Sequence, residues 1–171
     1  MTRGLASLCL AVGALFALPA ASALACAHER AHPGAVSVRA YARAVECLVN
    51  KQRAAAGVRA LSHDRRLARA ARRFSSAMVR ERFFDHVSPG GSTLGRRARA
   101  AGYGGGTLGE AIGWGEGDLG TPRAIVAAWM ASPPHHAVLL GRAFRRIGLG
   151  VAAGSPAGAP ASATVTADLG S

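Results

Sequence analysis

Apolar positions recur at helical spacing after Ser37, with Tyr41, Val45, Leu48 and Val49 on one face, and predict a helix that stops near Gly57. A second helix is predicted over RRLARAARRFSSAMVRERFF, with Asp64 as its N-cap. Its apolar face holds Leu67, Ala70, Ala71, Phe74 and Met78, and its polar face holds Arg65, Arg69, Arg72 and Arg80. The turn Ser88-Pro89-Gly90-Gly91 breaks the chain, and Thr93 caps a short third helix through Ala101. The glycine-dense TLGEAIGWGEGDLG reads as a strand around Leu108 to Trp114. Thr121-Pro122 then starts a helix through Ile125, Val126, Trp129 and Met130, which ends at Ser132-Pro133-Pro134. Ile147–Val151 and Ala163–Leu169 read as two strands joined by the loop AGSPAGAPA. That order predicts an α+β architecture with antiparallel pairing at the end. Leu61, Leu67, Phe74, Met78, Ile112, Ile125, Ile147 and Val151 are expected inside, as are Trp114 and Trp129. Asp168 is expected to anchor a turn or hydrogen bond.

The first residues follow a different pattern. MTRG is followed by the apolar LASLCLAVGALFALPA and then by Ala21-Ser22-Ala23 and Ala23-Leu24-Ala25. A basic start, an apolar middle and small residues at an A-x-A site predict a secretory signal peptide over 1–25, cleaved after Ala23 or Ala25. The polar stretch 26–36 reads as a tether, and 37–171 as one domain. No later segment is long and apolar enough to span a bilayer. Cys9 would leave with the leader, so Cys26 and Cys47 remain as a pair for one disulfide in an oxidising compartment. The competing reading makes Cys26 a lipidated N-terminus, which would leave Cys47 unpaired.

The formal net charge is +12, and all but one of the 21 basic residues are arginine. A GC-rich coding sequence gives the same skew, and a solvated basic face accounts for it. As a functional signal, the charge favours anionic partners such as phospholipid headgroups or cell-wall polymers. A nucleic-acid binder is the third choice, because export argues against it and no aromatics interleave with the arginines.

Local motifs for chemistry are sparse. Gly104 to Gly109 satisfies G-x-G-x-x-G but neither follows a strand nor opens a helix, so it is no dinucleotide site. The chain has no P-loop, H-E-x-x-H or G-x-S-x-G elbow. Four polar residues beside turns remain: His86, Glu110, His135 and His136. Singly, each has a structural account. His86 suits a helix C-terminus, Glu110 an exposed strand position, and His135 and His136 the start of a short helix.

The blocks FFDHVSPGGSTLGRRARAAGY, LGEAIGWG, AIVAAWMASPPHHAVLL, RRIGLGVA and TVTADLG, in that order, resemble the bacterial SCP-like extracellular domains of the CAP superfamily. That superfamily comprises cysteine-rich secretory, antigen 5 and pathogenesis-related proteins. The likeness runs from about Ala44 to Gly170. It implies an α-β-α sandwich with a small antiparallel sheet between helices, and a cleft carrying two histidines and two glutamates. His86, Glu110 and His135 fall on three of those positions. Ala127 stands where the second glutamate is usual, Ala111 where an asparagine is usual, and His136 where an arginine is common.

On this resemblance the chain is expected to be a secreted, monomeric binding module for lipid or an anionic cell-envelope component. The alternative is a zinc-dependent hydrolase in which His86, Glu110 and His135 hold the metal and leave a position open. His136, Glu116 or Asp118 would then compensate for the missing carboxylate.

Overall fold

The computed structural model describes Met1 and residues 25–171. All of the expected leader except its two end residues therefore lies outside the described residues. Among the described residues, five helices and four strands follow in the order α1 (Val38–Ala55), β1 (Ser62–His63), α2 (Arg65–Glu81), α3 (Leu94–Ala100), β2 (Leu108–Glu116), α4 (Pro122–Ala131), α5 (Pro133–Leu139), β3 (Arg146–Ala153) and β4 (Ser162–Gly170). One turn of 3-10 helix, Gly117–Gly120, joins β2 to α4. The helix starts are set by side-chain caps. Ser37 accepts from the Ala40 amide, Asp64 from Arg66 and Leu67, Thr93 from Arg96 and Thr121 from Ala124.

The strands lie in the order β1-β3-β4-β2, with β2–β4 and β3–β4 antiparallel and β1–β3 parallel. The sheet is thus mixed. Its antiparallel part is the one expected, and the two-residue β1 is an addition too short to leave a periodic trace in the sequence. Helices cover both faces, so the architecture is an α-β-α sandwich.

β4 is buried along its whole length, and its alternation sorts the two layers. Val165, Ala167 and Leu169 join Tyr41, Val45, Val49, Ile125 and Trp129 in the larger core beneath α1 and α4. Thr164, Thr166 and Asp168 alternate with them and so point to the α2 side, where Ser75 Oγ lies 2.8 Å from Thr166 Oγ1. On that side α2 sits directly against β3. A Cβ on Gly148 would fall 2.0 Å from the Ala68 nitrogen, and one on Gly150 would fall 2.1 Å from the Ala71 carbonyl carbon. Two glycines two apart in a strand let the helix backbone approach this closely.

The 26–36 segment, expected as a tether, is fastened to the domain at several points. Cys26 is buried and bonded to Cys47, with a Cα–Cα distance of 5.8 Å. The Glu29 carbonyl accepts from the Arg123 amide at 2.8 Å, and the Glu29 carboxylate pairs with the Arg123 side chain at 3.2 Å. The Sγ that a lipid anchor on Cys26 would require is therefore committed to the disulfide. Among the described residues no helix is long and apolar enough to cross a membrane.

Candidate functional site around Glu110

β2 carries Glu110 directly opposite Asp168 on β4, so both side chains point to the α2 layer. The Glu110 side chain is only 3 % exposed. Its Oε1 lies 2.7 Å from His86 Nδ1, and its Oε2 accepts from Arg97 Nη2 at 2.5 Å. His86 reaches it from the turn that follows α2, and half of its imidazole is open to solvent. Arg97 comes from α3. Its guanidinium lies 3.4 Å from the centre of the Phe74 ring and donates through Nη1 to the carbonyls of His86 and Ser92. Arg97 thus pins both the carboxylate and the loop that bears the histidine.

Sequence reasoning missed Arg97 because a lone arginine in a basic helix looks like every other. The signal that could have found it is the seven-residue amphipathic helix α3, whose Arg97 neighbours the buried Ala98. Asp168, expected to anchor a turn or hydrogen bond, is wholly buried, and neither of its oxygens receives a donor. Burial raises its pKa well above the usual carboxyl value, with the Glu110 carboxylate adding to the rise and Arg97 opposing it. Protonated, Asp168 can donate to Glu110, which an ionised carboxylate could not do.

His135 sits in the first turn of α5, after two prolines, and is half-buried. Its pKa is lowered by burial first and then by the charge of His86, which lies within electrostatic reach. The structure therefore brings His86 into direct contact with Glu110 and sets His135 within electrostatic reach of His86. His136 is exposed on α5. Asp118 faces His32 at 3.6 Å, and Glu116 is exposed at the end of β2. Ala127 is exposed on α4 and offers no carboxylate. Trp114, expected in the core, is 37 % exposed on the α2 side of the sheet, whereas Trp129 is buried and donates from Nε1 to the Ile112 carbonyl at 2.8 Å.

The donors do not fit a catalytic zinc site, which needs three protein ligands and an open position. Both Glu110 oxygens are taken, so this carboxylate orients His86 and leaves two imidazoles as donors. Among the described residues no group of three or more His, Cys, Asp or Glu is arranged to hold a metal ion.

Residues 47–166 match the family model of the cysteine-rich secretory protein family, CAP, and the chain belongs to that family. Its sequence is 36 % identical over 120 residues to the uncharacterized protein YkwD of Bacillus subtilis, covering 70 % of this chain and 46 % of that protein. The chain thus spans about half the length of the curated relative it matches. The fold is similar to an extracellular protein containing an SCP domain from Bacillus anthracis, with a TM-score of 0.65 and 22 % identity over 79 % of this chain and 44 % of the other. It is also similar to an outer surface protein of Borrelia burgdorferi, with a TM-score of 0.68 and 16 % identity over 79 % of this chain and 95 % of the other.

Proposed function

We propose that this CAP domain is an extracellular, non-catalytic binding module for a lipid or another anionic component of the cell envelope. The observation that carries this reading is the state of the charges. Arg66, Arg69, Arg72 and Arg73 are exposed along α2, while the most buried glutamate, Glu110, is paired with Arg97 and bonded to His86. Among the described residues these four arginines make no ion pair, and such a row of cations concentrates anionic surfaces around it. The half-open His86, with the partly buried His135 within electrostatic reach, offers imidazole nitrogens suited to hydrogen bonding a headgroup.

The test is sedimentation of the purified protein with phosphatidylglycerol vesicles, phosphatidylcholine vesicles and cell-wall preparations. Association with the anionic vesicles or walls, weakening as salt rises, is expected. No association with any anionic preparation at moderate salt would remove the proposal. Tight zinc binding in calorimetry that is lost in His86→Ala would replace it with the hydrolase reading.

A further inference from the structure

At the edge of the sheet remote from Glu110, α1 and α2 leave a groove of about 920 Å³ between them. Its floor is the edge of β3. β1 covers only the start of that edge, taking the carbonyls of Arg145 and Ile147 through the amides of Ser62 and Asp64. Alternation along a strand then turns the N–H and C=O groups of Leu149, Val151 and Ala153 the same way as those of Ile147, beyond the end of β1. From Leu149 to Ala153 this edge, unpaired among the described residues, runs about 13 Å. The opposite edge of the sheet is treated differently, since the Ile112 carbonyl of β2 is taken by Trp129 Nε1.

The walls of the groove are cationic. α1 contributes Arg39 and Arg43, and α2 contributes Arg65, Arg69 and Arg72, at spacings that align each set along its helix. All five are exposed, and among the described residues none donates a side-chain hydrogen bond or pairs with an acid. Glu46 is the one acid among the described residues that line the groove, and it is bonded to His63 at 3.0 Å. Residues 2–24 hold no Asp or Glu that could neutralise the arginines.

We propose that this groove binds an extended acidic peptide segment of a partner protein, which continues the line of β1 along β3. Two features of the groove select that occupant. The free amides and carbonyls of Leu149 and Val151 match a polypeptide backbone and nothing else in a polyanion. Side chains of an added strand alternate between the α1 and α2 layers, so acidic residues meet one arginine row or the other. The inference goes beyond envelope binding and does not depend on the His86–Glu110 site.

The test uses a labelled, capped heptapeptide of alternating glutamate and threonine, titrated into the full-length protein. Saturable binding is expected, at least tenfold weaker in Arg43→Glu/Arg69→Glu and at least tenfold weaker when alternate peptide amides are N-methylated. The matching lysine–threonine peptide is expected not to bind. Arg39→Gln/Arg72→Gln serves in place of the charge reversal if that variant fails to fold. Equal binding of the N-methylated peptide, or of inorganic polyphosphate with the same arginine dependence, would make the groove a general anion collector and overturn the proposal. Binding unchanged by the arginine substitutions would overturn it too. So would the absence of any binding, in which case the arginines only guard an unpaired strand edge. Vesicle or wall association that persists while the peptide fails removes this inference alone and leaves the envelope reading standing.

Discussion

Glu110 and Asp168 are directly opposed across the β2–β4 ladder, and both are buried. Two carboxyls in one dry site cannot both ionise cheaply, and Arg97 and His86 are spent on Glu110. Asp168 therefore keeps its proton in the folded chain well above the usual carboxyl range. An acid whose pKa is raised by folding stabilises the native state fully below its unfolded pKa of about 3.9 and loses that contribution as pH climbs to the raised value. The Asp168 contribution to the unfolding midpoint in urea should thus fall as pH rises from the ordinary carboxyl range towards the raised pKa. Asp168→Asn, neutral and of the same shape, should flatten that fall and be more stable than wild type on the alkaline side. If Asp168→Asn left the pH dependence of stability unchanged, Asp168 would be ionised in the folded chain.

Arg97 joins three elements, since it stacks on Phe74 of α2, bonds the His86 loop and neutralises Glu110 of β2. Arg97→Ala strands a buried carboxylate and should cost roughly 3–5 kcal/mol. Adding Glu110→Gln removes the stranded charge, so the double variant should lose less than the sum of the two single losses. The check is a double-mutant cycle by chemical denaturation. Strict additivity would show that the two side chains do not stabilise one another.

Much of the fold was legible because it is written in local signals. Asp64, Thr93 and Thr121 all cap the helices expected of them, and the arginine and apolar stripes of α2 divide as their spacing requires. What was not legible depends on distant partners. Arg53 belongs to a helix rich in polar residues, yet it is fully buried and donates to the carbonyls of Arg59, Leu139 and Gly141. No local pattern separates it, or Arg97, from the solvated arginines. Alternation along β2 gives the side on which Trp114 stands, but not that this end of the sheet is only partly covered. The Glu110–Asp168 encounter is set by strand register, which neither strand encodes alone.

His135 offers a measure of how close the two imidazoles stand. Burial lowers its pKa first, and the charge of His86 lowers it further. In His86→Gln the apparent pKa of His135, followed by NMR, should rise while staying below the ordinary histidine value of about 6.5. Because its folded pKa is depressed, His135 opposes Asp168: its own contribution is lost on acidification through the ordinary histidine range, so His135→Gln should gain more stability than wild type on acidification there. A His135 titration that ignores the His86 substitution would mean that the two rings do not share a site.

The disulfide closes a sequence separation of 21 residues and adds a covalent tie to a segment that is also held by the Glu29–Arg123 bonds. Loop closure of this length contributes about 3 kcal/mol by the chain-entropy estimate. Reduction also loosens contacts beyond the bond, because the Glu29–Arg123 pairing and the buried Cys26 lie on the released segment. Cys26→Ala, Cys47→Ala and the double variant remove the same loop, so all three should lose a similar amount, and the double variant should ignore reductant. Denaturation of wild type with and without dithiothreitol checks this. If reductant left the wild-type midpoint unchanged, the 26–36 segment would be held by its packing alone and the covalent link would add nothing to it.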